Sequence, residues 1–431
     1  MLFKDITIFD EKFEVREHMY VGVKDAYIRY VGEVMPEEDF GEVYEGDNKL
    51  LLPAFYNMHS HMPMGLLRGY SENLPLQDWL QTKIFPFEGH LTEDDMYWGC
   101  LMGIAESVKY GIASASDMYL NENAVCRAVC ESGFKANLSN SVMCFDDSNY
   151  KDMHYYGNTL QAIKDYDGYD NGRVHVEFSL HAEYTSNEKI VCQLAEVVKE
   201  NNSTIHVHVS ETAGEVAECR ERHSGKSPVR YLADCGLFDQ PALAAHCVHV
   251  DADDIEILRE KNVTVASCPK SNLKLSSGVA PTYRMLNAGV NVTVATDGVA
   301  SNNCLNMIEE MRFFNLLQKG ATNDPTAITP AETLYAATRA GAIGQKRNDC
   351  GLIKEGHKAD IAVMDINTVN MFPRHNLLNN FIYSSSGDDI VLTMVDGKVL
   401  YRDGMFPTMD IERIKYECNR SIDRILGEIN Q

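Results

Sequence analysis

Two histidines one residue apart close the otherwise apolar run LLPAFYNMHSH at positions 51–61. A strand repeats every two residues, so His59 and His61 project to one side and can share a metal ion through neutral imidazole nitrogens. Alone, such a pair is also explained by hydrogen-bonded core histidines. The wider set changes the balance: His181 closes RVHVEFSLH, His208 and Glu211 close TIHVHVSE, His246 lies in ALAAHCVHV, and Asp297 ends the apolar part of VNVTVATDG. His206 and His208 face one side as well; His208, nearer the carboxyl end, is the better-placed ligand, and His206 is expected a layer deeper as a hydrogen-bonded residue. Imidazoles and a carboxylate around a divalent cation can lower the pKa of water to about 7, and a neighbouring acid or base can then move its protons. The chemistry indicated is that of a shared divalent metal ion.

These residues need elements that bring several strand ends to one place. Eight strand-like segments can be counted, at 51–61, 112–119, 135–143, 173–181, 204–211, 242–250, 263–269 and 290–298. Amphipathic helical patterns such as LTEDDMYWGCLMGIAESVKYG and NEKIVCQLAEVVKENN separate most of them. Eight βα units predict a TIM-type (β/α)8 barrel, whose chemistry sits at the carboxyl ends of its strands. Short β-rich runs at both ends of the chain, with an Asp396-Gly397 turn in the second, predict one small β-sandwich built from the N- and C-terminal segments. The expected division is a sandwich from 1–53 and 351–405, a barrel over 54–350, and a C-terminal helix over 406–431.

Bulk composition narrows the partners. The 431 residues carry 39 Lys and Arg against 63 Asp and Glu, a formal charge of −24. Such a field repels nucleic acid and anionic membranes and leaves a small neutral or cationic ligand as the expected partner. Charges interrupt every apolar run of the N-terminus, so neither a signal-peptide core nor a spanning helix is expected. The 12 cysteines include no CxxC pair, and Cys126 and Cys130, four apart in a helical pattern, read as core filler. This usage suits a reducing cytoplasm.

The ordered segments NMHSHMPMGLLRG, DWL and FPFE at 78–88, HVHVSET, AAHCVHV, SCPKSNLKLSSGVAP, ATDGVASNN and GLIKEGHKADIAVMD strongly resemble the amidohydrolase superfamily. Within it they are most similar to the deaminases acting on methylthioadenosine and S-adenosylhomocysteine. The resemblance implies His59, His61, His208 and Asp297 as metal ligands. It implies Glu211 as the proton shuttle to the ring, His246 as the group orienting water, and Asp297 as the acceptor of the water's proton. Binuclear members carry a bridging lysine at the end of the fourth strand; His181 stands there, so one divalent ion is expected, zinc first and iron second. The unrelated zinc deaminase pattern of HxE followed by PCxxC is missing, since SCPKSN has one cysteine.

By the same resemblance, Glu88 holds ribose hydroxyls, Trp79 lines the base or sugar, and His181 reaches the purine. The expected activity is hydrolytic deamination of adenosine, 5′-deoxyadenosine, 5′-methylthioadenosine or S-adenosylhomocysteine. Relatives that take the last of these can clamp its carboxylate with arginines in and after the third strand. Here NLSNSVMCFDDSNYKDMHYYGN has none, Asn140 stands at an expected position, and Lys151 offers only a point charge. That shifts weight toward the other three substrates. Two readings remain beside this one: deamination of a guanine, pterin, oxidised purine or triazine ring, and a scaffold without catalysis. The resemblance also implies a homo-oligomer.

Overall fold

The computed structural model describes residues 1–430; Gln431, the last residue of the expected C-terminal helix, lies outside the described residues. Eight parallel strands form the central sheet: β6 (Phe55–Ser60), β7 (Ile112–Tyr119), β8 (Lys135–Val142), β9 (Val174–Ala182), β10 (Ile205–Val209), β11 (Ala242–His246), β12 (Thr264–Ser267) and β13 (Asn291–Val294), each paired with the next. Side-chain and loop contacts close the seam between first and last. Asp297 N–H donates to the His59 carbonyl at 3.0 Å, and the Asn57 amide bonds Thr296 N–H at 2.9 Å and Thr296 Oγ1 at 2.7 Å. The barrel is therefore the expected (β/α)8 architecture.

Helices start where the sequence supplies caps. Thr92 Oγ1 accepts Asp95 N–H and the Asp95 carboxylate accepts Thr92 N–H, which opens the helix Glu93–Lys109. Asn187 caps Glu188–Glu200 in the same register as its apolar stripe of Ile190, Val191, Leu194, Val197 and Val198. Over the barrel mouth, Leu76–Trp79, a π-helical turn Leu80–Ile84 and Phe85–Glu88 run as one helical segment. Its buried Leu76, Trp79, Leu80, Ile84 and Phe87 hold it against the barrel.

Both termini join one second sheet. It contains β1 (Leu2–Phe9), β2 (Val15–Lys24), β3 (Tyr27–Gly32), β4 (Val43–Glu45), β5 (Lys49–Pro53), β14 (Ile361–Asp365), β15 (Ile390–Val395) and β16 (Lys398–Arg402). The two ends meet where β5 pairs antiparallel with β14, Leu51 opposite Val363. The sheet is mixed, since β1 runs parallel to both β4 and β5. The sheet curls until the β2–β3 hairpin touches the loop leading into β14: Ile28 N–H reaches the His357 carbonyl and Ala359 N–H the Ala26 carbonyl, each at 2.8 Å. Phe3, Ile6, Val21, Leu51, Val363 and Leu392 fill the small core enclosed.

One expected strand is two. The run 51–61 divides at Ala54, with β5 in the terminal sheet and β6 in the barrel. Both halves are buried, so no change of polarity marks the passage from one sheet to the other. The helix Ile411–Ile429 closes the chain against Glu93–Lys109, with Arg424 paired to Asp95 and Cys418 Sγ donating to the Trp98 carbonyl.

Candidate metal and substrate site

Three imidazoles at the mouth are aimed by their Nδ1 atoms. His59 Nδ1 and His206 Nε2 share a hydrogen bond of 2.9 Å, His61 Nδ1–H donates to the Met118 carbonyl, and His208 Nδ1–H to the His181 carbonyl at 2.6 Å. In each case Nε2 is left to face inward. His61 Nε2 and His208 Nε2 lie 3.4 Å apart, while Asp297 Oδ1 stands 3.5 Å from His59 Nε2 and 3.3 Å from His61 Nε2. His206 is thus the hydrogen-bonded layer beneath the ligand candidates, as its place in the strand predicts.

Backbone form contributes to the convergence. Asp297, His246 and Ser210 have φ of 65°, 73° and 51°, in the left-handed region that non-glycine residues seldom occupy. Ser210 and His246 fall at the ends of β10 and β11, and Asp297 lies three residues beyond β13, so each kink stands where a strand gives way to the mouth. Gly298 lets Met64 and His61 pack close, since a Cβ there would sit 2.8 Å from Met64 Sδ and 3.2 Å from His61 Cβ.

The donor set fits a metal ion. His59 Nε2 is buried with no hydrogen-bond partner among the described residues, an arrangement that a coordinated cation resolves. Burial holds His59 down at about 4 and keeps His208 and His206 well below their ordinary range. At His61 burial pulls the same way, but Asp297 outweighs it and lifts the ring to about 9. Burial alone would raise Asp297, yet His59 and His61 hold it well below the carboxylate range. The ionised Asp297 is thus balanced by a proton on His61 while His59 and His208 stay neutral, and the meeting point of these donors favours positive charge.

Next to these donors, His246 Nδ1 is 2.9 Å from Asn272 Oδ1, and His246 Nε2 is 3.8 Å from Glu211 Oε2. Glu211 accepts from Ser277 Oγ at 3.3 Å and is raised by burial above the usual carboxylate range. Its backbone is fixed by Glu215, which accepts the N–H groups of Ser210 and Glu211 at 2.7 Å each. Ser271 Oγ donates to Asp297 Oδ2 at 2.6 Å.

One cavity is lined by His61, His208, Glu211, His246 and Asp297 together with Trp79, Glu88 and His181. His59 lies directly behind, fully buried. His181 Nδ1 is 3.1 Å from Thr185 Oγ1, which frees Nε2 for the cavity. Met64, Met118, Leu120, Met143 and Leu275 make an apolar wall, and among the described residues no lysine or arginine lines it. The Asn140 expectation needs correcting: Ser141 and Met143 line the cavity, whereas Asn140, one step off in the two-residue period of β8, does not. Lys151 is paired with Glu200 at 3.0 Å on the surface, away from the cavity.

The sequence reading passed over Tyr119 and Tyr184, both of which line the cavity, and over the supports Asn272, Glu215 and Ser271. Tyr119 ends β7, so the strand-end rule that found the histidines also points to it. Glu215 was accessible through the T-x-x-E capping box that starts at Thr212.

The chain matches the amidohydrolase family over residues 50–400. A 5-methylthioadenosine/S-adenosylhomocysteine deaminase of Dictyoglomus turgidum is 39% identical over 420 residues, 97% of each chain. The enzyme of the same name from Carboxydothermus hydrogenoformans is 38% identical over 423 residues, again 97% of each. Among solved structures, an adenosine deaminase from Xanthomonas campestris with bound zinc superposes with a TM-score of 0.92 at 28% identity, covering 99% of this chain and 98% of that one. No helix among the described residues is long and apolar enough to cross a membrane. With a family match that spans the barrel and relatives this similar from end to end, the chain belongs to the amidohydrolase family.

Proposed function

We propose that this protein is a metal-dependent hydrolytic deaminase of adenine nucleosides, which exchanges the exocyclic amine for oxygen and releases ammonia. The observation that carries the reading is the meeting, in one cavity, of the histidine and aspartate donors with Glu211 and His246 and with Trp79, Glu88 and His181. The names of the relatives support the same reading.

His59, His61, His208 and Asp297 would hold one divalent ion, zinc first and iron second, since three imidazoles and a carboxylate suit either. When bound, such an ion supplies the Lewis acidity that lowers the pKa of water to about 7. Asp297, held ionised, accepts the proton of the attacking water. Glu211, shifted upward by burial, gives a proton to the ring nitrogen and carries the next one to departing ammonia. His246, its Nδ1 fixed by Asn272, turns Nε2 toward Glu211 and orients the water between them. Glu88 accepts the ribose hydroxyls, Trp79 packs against the nucleoside, and His181 Nε2 bonds the purine.

The methionine- and leucine-rich wall favours an uncharged 5′ group. Adenosine, 5′-deoxyadenosine and 5′-methylthioadenosine suit it, whereas the carboxylate of S-adenosylhomocysteine meets no cation there. The test is ammonia release, with the ultraviolet change from adenine to hypoxanthine, for the four nucleosides side by side on metal-loaded enzyme. Turnover of the first three with weak turnover of the last is expected. Ammonia from guanine and none from adenosine would overturn the reading.

A further inference from the structure

Metal-ligating side chains meet at a second place. The helix Ala213–Arg222 carries Cys219, and its C-cap residue His223 follows four positions later, on the same face. Both meet Glu183, which opens the short turn Glu183–Thr185 after β9. One donor atom from each, thiol sulfur, imidazole nitrogen and carboxylate oxygen, lies within 4.8 Å of the others. His223 Nε2 is 2.7 Å from Glu183 Oε1. The imidazole is stacked on Tyr231 at 3.7 Å between centroids and 20° between planes, which fixes its direction. Cys219 and Glu183 are buried, and His223 is half-buried, so the group opens to solvent along the histidine.

We propose that Glu183, Cys219 and His223 form an accessory site for a thiophilic divalent cation of the zinc class, separate from the catalytic donors. Thiolate, imidazole and carboxylate are the donors zinc takes, and a water completes a tetrahedron. Zinc–ligand lengths of about 2.0–2.3 Å put tetrahedral donors roughly 3.3–3.8 Å apart, which small side-chain rotations from the present spacing supply. On binding, the thiol loses its proton to solvent and His223 ligates through an unprotonated ring nitrogen, so binding releases protons and the thiolate and the carboxylate supply the negative charge facing the ion. Arg222 provides the outer support: its Nη2 donates to Glu183 Oε2 at 2.7 Å and its Nε to Oε1 at 3.1 Å, and its other arm meets Glu218 at 3.2 Å. A ligating carboxylate held in this way is the usual arrangement behind a metal. The site would tie the turn that bears the cavity-lining Tyr184 to the helix whose Glu215 fixes the backbone of Glu211.

The test strips the full-length protein of metal and titrates it with Co²⁺. Two ions per chain are expected, one of them accompanied by a near-ultraviolet thiolate-to-cobalt charge-transfer band. That band reports the accessory site alone, because the catalytic donors include no sulfur. Cys219→Ser and His223→Asn should each bind a single ion, and both should lack the band. His223→Asn leaves the buried thiol and its packing in place, so it tests the site even if Cys219→Ser folds poorly. A single ion and no band in the unaltered protein, or a band that survives Cys219→Ser, would overturn the assignment.

Discussion

Glu88 has to stay useful as a carboxylate in a wall made largely of Leu76, Leu80, Ile84 and Phe85. Burial raises it to about 7, with Tyr119 and the charge of His61 pulling the other way. The folded chain then keeps a proton that the unfolded chain loses near 4.5, so the contribution of this group to stability falls as pH rises from about 4.5 to about 7. Its use in binding has the opposite sign, because two ribose hydroxyls are accepted best by the ionised form. The KM for adenosine should therefore rise several-fold as pH drops from about 7.5 to about 6. Steady-state kinetics of Glu88→Gln should show a higher KM with that slope flattened; an unchanged slope in the variant would assign the titration to another group. Glu88 was legible only through resemblance to related deaminases, because nothing in the spacing of FPFE marks it. The histidines were legible from the residues themselves, since each sits where a barrel strand delivers it. Tyr119 occupies the same kind of place, but an aromatic there reads equally well as core. Asn272 and Ser271 act across the fold on His246 and Asp297, at separations that no local pattern encodes.

Among elements, the junction between barrel and terminal sheet rests on a lysine at the first position of β8. Lys135 Nζ bonds Asp360 Oδ2 at 2.5 Å and Asp396 Oδ1 at 2.9 Å, while Tyr56 also donates to Asp360. All four residues are buried. Burial would lower the lysine, but the charge of Asp360 outweighs it and raises the group, so the ammonium persists at neutral pH. Despite its burial, Asp360 is held below 3.8, chiefly by Lys135, so the stability this pair supplies is lost only as pH falls through that range. Lys135→Met should leave Asp360 without its cation and Asp396 with only Lys358, 3.8 Å away, and cost about 3–5 kcal/mol in denaturant unfolding. A loss under about 1 kcal/mol would mean that the carboxylates relax to solvent or take up protons at little cost. The sequence reading located β8 but gave its lysine no role, because the aspartates lie more than two hundred positions away. The same separation hid the division of 51–61 at Ala54. Both sheets bury that stretch, and hydrophobic periodicity cannot tell which of two neighbouring sheets a buried residue joins.

At the scale of the whole molecule the legible quantity was charge, and it bears on substrate choice. The chain carries −24 overall, and among the described residues the cavity has neither lysine nor arginine on its walls. A nucleoside crosses this field without penalty, but a 5′-phosphate must approach against it and then leave water beside methionine and leucine side chains. Adenosine 5′-phosphate should therefore show kcat/KM at least about a hundredfold below that of adenosine, the equivalent of about 2.7 kcal/mol. Part of this penalty is long-range, and part is local desolvation. Raising ionic strength from about 10 mM to about 150 mM shortens the screening length from roughly 30 Å to roughly 8 Å, so the value for the phosphate should climb while that for adenosine stays flat. The residual gap at high salt then measures the uncharged wall itself. Equal turnover of the two at low salt would mean that the 5′ end of the substrate lies outside the cavity, and the preference for neutral 5′ groups argued from Met64, Met118 and Met143 would fall with it.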